Sequence, residues 1–375
     1  RATSVYLVDR TIPMLPERLC NGICSLRPDE EKLTFSVIFK MNDKAEVKDF
    51  HIVHTVTKSN RRYTYEEVDE IFDNKELKTK NEKLIAEGDA RGLEGDEALH
   101  FALFKLNALA KIIREKRFQN GAVDFDRKEV HFNIDETGHP LSVYFVDSTD
   151  SHHLIEEFML LANRTVAEFI GKEKPAKTLP YRIHDLPDPD KLGNLASIVG
   201  RFNFSLTTEG SKLQIAKSLN KLLRDVKGDK MEKLVDNVAL RAMQKAKYST
   251  YNIGHYGLSF DYYTHFTSPI RRYPDMMVHR LLDIYAEGGK NQDKLTYEDK
   301  CQYASMREQL ATDAERESVK YKLVEYMQDY VGQEFDGTIS GLTEWGIYVE
   351  VEPTKIEGMV SLRSVTEDYL VFDEE

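Results

Sequence analysis

The stretch from Tyr262 to Leu282, YYTHFTSPIRRYPDMMVHRLL, constrains this chain most, because it sets two adjacent arginines between two prolines that limit where a helix can begin. Proline fixes its own φ and lacks an N–H, so it fits the first turn of a helix and disrupts later ones. Two solutions satisfy that rule. In the first, Ser268 caps a helix with Pro269 at its first position, and free backbone N–H groups face outward beside Arg271 and Arg272. In the second, Ser268 to Tyr273 is a tight turn and Pro274 starts the helix. Ile270, Tyr273, Met277, Leu281 and Leu282 recur at helical spacing and form the buried side, which leaves Arg271, Asp275 and His279, four apart, on another face. Backbone donors beside two guanidinium groups make a site for phosphate. The plainer alternative is ordinary surface charge, with Arg271 paired to Asp275.

The surroundings favour the anion. From Arg241 to Arg280 six Lys/Arg oppose two Asp, in a chain whose net charge is −12. Tyr248, Tyr251, Tyr256, Phe260, Tyr262, Tyr263, Phe266 and Tyr273 are interleaved with those cations. Cations for phosphates alternating with rings for bases are the composition of a single-strand nucleic-acid channel. The acids lie elsewhere: twelve Asp/Glu against five Lys/Arg between Glu66 and His100 read as a solvated helical exterior.

At 375 residues the chain has room for about two to three domains. No apolar run reaches the length of a membrane span, and the first residue, Arg1, begins no secretory leader. Cys20, Cys24 and Cys301 are too few and scattered for a disulfide framework. The expectation is buried thiols in a reducing cytoplasm.

In chain order, strict alternation at Leu33, Phe35, Val37 and Phe39 and a returning run Val47 to Val56 predict a hairpin. Thr64 and Glu67 stand at capping-box spacing before a helix to about Asn74. Helices are predicted over Ala98 to Phe118, Leu154 to Ile170, Leu192 to Val199, Ser211 to Leu223, Lys230 to Lys247 and Tyr297 to about Tyr330. A second hairpin is expected from Val123 to Ile134 and Leu141 to Phe145, and Pro175 to Pro189 reads as a connector. From Val331 the period changes to two, which predicts a separate β domain.

Three stretches carry a resemblance. HYGLSF with YTHFTSPIRRYPD is similar to the signature of the ribonuclease II and ribonuclease R exonuclease family, and RATSVY with IPMLPERLCNGICSLRP resembles the same family's catalytic domain. GTISGLTEWGIYVEV with IEGMVSL resembles the opening strands of an OB-fold RNA-binding domain of the S-one type. The implied fold is α+β: an RNB-type core over residues 1–330, then the start of an all-β OB fold over 331–375. The implied activity is processive 3′-to-5′ hydrolysis of single-stranded RNA to 5′-mononucleotides by a monomer, with Mg²⁺.

By position, the resemblance makes Arg271 the arginine that holds the phosphate at the cleavage point, and Arg272 its neighbour on RNA. Tyr6 and Phe125 become a clamp on the terminal bases, and Tyr65 and Glu156 contacts to bases or sugar deeper in the channel. Glu315 is a helical carboxylate close to the reaction, and Trp345 and Tyr348 are stacking rings of the OB start. Each has a plain alternative as core packing or solvated charge. Only an aspartate cluster of the D-x-D-D kind is missing. The nearest groups, Asp185, Asp188 and Asp190 or Asp124 with Asp126, are poor candidates for a metal site, so no metal ligand is assigned within this chain. In the family that cluster precedes RATSVY, and the expectation is that the chain is a fragment lacking it, and inactive alone. The rival reading is a non-catalytic RNA-binding or scaffold protein that keeps the channel.

Overall fold

The computed structural model describes residues 2–88, 90–125, 129–352 and 354–365. Strands β1 (Val5–Tyr6) and β2 (Thr11–Ile12) pair at the start, and a long hairpin follows from β3 (Glu31–Met41) and β4 (Val47–Lys58). Phe35, Val37 and Ile52 turn inward from it onto a core built by later elements. Leu33 keeps the predicted alternation but is 89% exposed, because the hairpin runs past the core beneath it. Helices α1 (Tyr65–Asp73), α2 (Lys75–Glu87) and α3 (Gly95–Gln119) come next. The Thr64 side chain accepts from the Glu67 N–H while Glu67 accepts from the Thr64 N–H, so the predicted capping box is formed.

The second hairpin, β5 (Glu129–Ile134) with β6 (Pro140–Val146), is shorter than its alternation predicts. Val123 and Asp124 leave the strand because their N–H groups are taken by the Gly257 carbonyl and the Asn220 side chain. Asp124 is therefore not in a strand, and Asp126 lies outside the described residues. Then come α4 (Asp150–Gly171), β7 (Tyr181–Ile183), α5 (Pro189–Gly200), α6 (Lys212–Asp225), α7 (Glu232–Ala242) and β8 (Lys247–Ser249). Two expectations fail here for one reason. The proline-rich connector contains the buried strand β7, and the helix predicted to Lys247 stops at Ala242 so that β8 can pair antiparallel with β7. Long-range pairing overrides the local helical pattern.

The remaining elements are α8 (Tyr273–Ala286), the 35-residue α9 (Lys294–Gln328), an antiparallel sheet β9 (Gly337–Leu342), β10 (Gly346–Val351) and β11 (Ile356–Ser361) in the order β11-β10-β9, and α10 (Leu362–Val365). Lys233 of α7 ties the sheet to the core through Glu350 and Glu352 of β10 and its turn, at 2.7 and 3.0 Å. The principal core packs α4, β7 and α8 under the first hairpin; α5, α6 and α7 share a second core around Leu195, Leu219 and Val235. Cys301 is buried, but Cys24 is exposed, against the expectation for all three thiols. Among the described residues no helix is long and apolar enough to cross a membrane.

Between α3 and α4 lies a buried ion pair. Arg117 donates from Nε to the fully buried Glu157 at 3.1 Å, and burial raises the Glu157 pKa from its ordinary value despite that cation. Removing one partner strands a charge in the core. Glu157→Ala should therefore lower stability by about 3–5 kcal/mol in urea titrations, and Arg117→Met with Glu157→Leu should recover most of the loss.

Candidate functional site

Of the two solutions open to the SPIRRYPD stretch, the chain takes the second. Helix α8 begins at Tyr273, with Pro274 in its first turn, and Ser268 to Arg272 is a turn in front of it. Ser268 does not cap. Asp275, fully buried in the first turn of α8, reaches back to accept the Ser268 N–H at 2.7 Å and Arg272 Nη2 at 2.9 Å. The Ser268 carbonyl accepts from the N–H groups of Arg271 and Arg272 at 3.3 and 3.0 Å. The ion pair is thus Arg272 with Asp275, not Arg271 with Asp275. Arg271 is exposed, and among the described residues its guanidinium has no hydrogen-bond or ion-pair partner.

The other flank of the turn is stapled by the start of the chain. Ser4 N–H donates to the Arg271 carbonyl at 2.9 Å, Tyr273 N–H donates to the Ala2 carbonyl at 2.9 Å, and Thr3 bridges Arg272. This ladder ties to the Arg271 backbone the strand that carries Tyr6, which is 48% exposed. Helix α9 holds the same strand from outside: the Tyr6 N–H donates to Glu315 Oε1 at 2.9 Å and the Val8 N–H to Ser318 Oγ at 3.2 Å. Three residues picked from the sequence, Arg271, Tyr6 and Glu315, are therefore brought to one place. Glu315 acts there as the clasp of the Tyr6 strand.

Behind the turn sits a buried polar knot. Burial, then the Arg272 and Arg182 guanidinium groups, push the His265 pKa well below its ordinary value, so its neutral ring bonds Tyr248 Oη through Nδ1 at 2.8 Å. Burial alone would lower the Arg272 pKa, but the Asp275 carboxylate holds it above its usual value. Arg272 Nε and Asp275 Oδ2 are buried with no hydrogen-bond partner among the described residues, a cost of about 1–3 kcal/mol each that the surrounding fold sustains. Arg272 is accordingly an anchor, with only 15% of its side chain exposed, rather than the RNA contact expected from its neighbour.

In HYGLSF, the Gly257 N–H donates to His184 Nδ1 at 3.0 Å, and a Cβ at Gly257 would lie 2.9 Å from that same nitrogen. His184 Nε2 meets the Gln244 carbonyl at 2.7 Å, so the ring is a neutral tautomer using both nitrogens, and burial lowers its pKa. Burial and the His184 ring push His255 down to about 3. The aromatic reading of this segment needs correction. Tyr248, Tyr256, Tyr263 and Phe266 are buried and build the core behind the turn, while Tyr251 is half exposed.

A second locus forms on α4. Tyr65, at the start of α1 and 43% exposed, stacks on His152 with ring centroids 4.0 Å apart and planes within 15°. Glu156, one turn further along, accepts from Arg117 Nη2 at 3.3 Å. The sequence offered His152 no role; its i, i+4 spacing from Glu156 was the available signal. Phe125 packs half-buried against the α5–α7 core. Trp345 stands 69% exposed at the β9–β10 turn, and Tyr348 is half-buried in β10 opposite Met359. Asp188 caps α5 by accepting the N–H groups of Asp190 and Lys191.

With this geometry in hand, comparison with known proteins is decisive. The RNB domain matches residues 1–288. The chain belongs to the RNB family. This RNB chain is 36% identical over its whole length to "Ribonuclease R" of Aquifex aeolicus, covering 51% of it, and 37% identical to "Ribonuclease R 1" of Lactococcus lactis, covering 44% of it. It spans about half the length of the curated relatives it matches. The fold is that of Mycoplasma genitalium RNase R in complex with ribose methylated single-stranded RNA, with TM-score 0.85 at 24% identity, over all of this chain and 56% of that one. Among the described residues of the RNB chain no group of three or more His, Cys, Asp or Glu could hold a metal ion. The described residues do not fit a metal centre.

The two arginines should separate in stability measurements: Arg271→Ala should unfold like the parent, and Arg272→Ala should lose about 3–5 kcal/mol by leaving Asp275 buried and unpaired. The histidines set a pH dependence. Their folded pKa values lie below the unfolded value of about 6.5, so the unfolded state binds more protons; their contribution is full above that pH and is lost as pH falls toward about 3. Thermal midpoints should drop between those limits, and His255→Gln should reduce the slope by up to about 1.4 kcal/mol per pH unit.

Proposed function

We propose that the protein carrying this chain is a 3′-to-5′ exoribonuclease that hydrolyses single-stranded RNA processively to 5′-mononucleotides. The observation that carries the reading is the exposed Arg271, without a side-chain partner among the described residues, whose backbone is tied by a buried ion pair and a backbone ladder to the strand that carries the exposed Tyr6 ring. A guanidinium so placed binds a phosphate and stabilises charge developing on it, and a ring next to it stacks a terminal base. The relatives named Ribonuclease R support the same reading.

In this proposal residues 1–330 are the RNB-type core and 331–375 begin an OB-fold RNA-binding domain, with Trp345 and Tyr348 available for stacking. Tyr65 on His152, with Glu156, contacts the strand further from its end. The metal is Mg²⁺, with its carboxylates in the segment that the family places before Arg1. The protein works in the cytoplasm as a monomer.

The test uses labelled oligoadenylate with Mg²⁺. The full-length protein should release mononucleotides, and its Arg271→Ala variant should lose about a hundredfold in kcat with RNA affinity little changed. The 375-residue chain by itself should bind RNA without degrading it. Release by the short chain at a comparable rate would mean that its own aspartates hold the metal. RNA binding without release by the full-length protein would establish a non-catalytic binder instead.

A further inference from the structure

Two large cavities lie outside the Arg271 site, and they differ in charge. One, about 1060 Å³, lies between the tip of the first hairpin and α3 and α4; its cations are matched by carboxylates and tied up in pairs such as Arg117 with Glu157 and Arg164 with Glu168. The other, about 1010 Å³, opens between α5, α7, α9 and the β7–β8 ladder. Lys191, Arg241, Lys245, Lys247 and Arg316 line it against a single carboxylate, Asp185. Lys245 donates to Gln309 at 3.0 Å; the side chains of Lys191, Arg241, Lys247 and Arg316 are exposed, with no hydrogen-bond or ion-pair partner among the described residues. In a chain of net charge −12, four unpaired cations from four separate elements facing one cleft are an uncompensated positive field.

We propose that this cleft is a second RNA-binding surface that holds the phosphodiester backbone and reads no base, in addition to the Arg271 site and resting on the reading of the protein as RNA-binding. The lining contains no aromatic ring: its apolar members are Ile183, Val238, Leu240, Met243 and Ile253, which offer no ring for a base to stack on. Phosphates are the groups that five long cations suit. The cleft shares helix α9 and strand β8 with the site's supports. Arg316 follows the Glu315 that clasps Tyr6, and Lys247 precedes the Tyr248 that bonds His265. Half of the six cations that made the Arg241 to Arg280 segment basic, namely Arg241, Lys245 and Lys247, thus serve this cleft and not the turn at Arg271.

The experiment measures the affinity of the full-length protein for an oligoadenylate of about 16 nucleotides across a series of salt concentrations, with a chelator present to prevent cleavage. Each phosphate contact contributes about 0.7 to the slope of log K against log salt for a single strand. Arg241→Gln with Lys247→Gln should flatten the slope by about 1.4, and Lys191→Gln with Arg316→Gln, from different elements, should do the same. Tyr6→Ala should weaken binding with the slope unchanged. An unchanged slope in both double variants, with the parent binding normally, overturns the cleft alone. Adenosine monophosphate binding that is lost in those variants while their RNA slope stays intact would make the cleft a nucleotide site and also overturn it. A parent that binds no RNA at any salt overturns the RNA reading itself.

Discussion

The pair of Arg272 with the fully buried Asp275 is the interaction on which the rest of the site depends. Taking two charges out of water is costly, and such a pair is sustained only where further hydrogen bonds satisfy its members. Asp275 has one in the Ser268 N–H, and that bond fixes the turn whose next residues are the two arginines. With Arg272 drawn inward, Arg271 is directed outward by the same turn. The Arg271 and Arg272 backbone then serves as the template for Ala2 to Ser4, so the position of Tyr6 follows from an ion pair far away in sequence.

Helix α9 supports this arrangement without an apolar face of its own. Its buried residues are small, Cys301, Ala304 and Ala311, which lets the β8 strand approach closely. Its polar side chains do the holding: Glu298 accepts from Ser249 and from the Thr250 N–H, Ser305 accepts the Tyr248 N–H, and Glu308 pairs with Arg182. Arg182 lies over the Tyr248 ring at 4.6 Å. The helix thus links the chain start, the β7–β8 ladder and the polar knot behind Arg271, and carries charge to both the site and the basic cleft.

The histidines of the knot show how burial assigns roles within a basic segment. His184 spends both ring nitrogens on backbone partners, and His265 is neutral between two guanidinium groups. Neutral rings at these places keep the positive charge of the region on the arginines that need it. A proton on any of them would add a buried charge to a neighbourhood already cationic.

Local chemistry was legible from the residues alone. The Thr64–Glu67 capping box, the β3–β4 hairpin and the long helices α3, α4 and α9 each rest on patterns whose physical cause lies within a few residues. Arg271, Tyr6 and Glu315 were legible because their motifs resemble a known family's. What only the tertiary structure decided is which of two equivalent-looking neighbours does which job. Sequence gives Arg271 and Arg272 the same chemistry, and reads the rings from Tyr248 to Tyr273 as one set. Burial separates them: Arg272 and four of the rings are core, Arg271 is exposed, and Lys247 faces another cleft. Strands β7 and β8 were invisible because each is three residues long and exists only through the other. Such pairings and partitions arise from contacts between distant segments, whose free energy is absent from any local window.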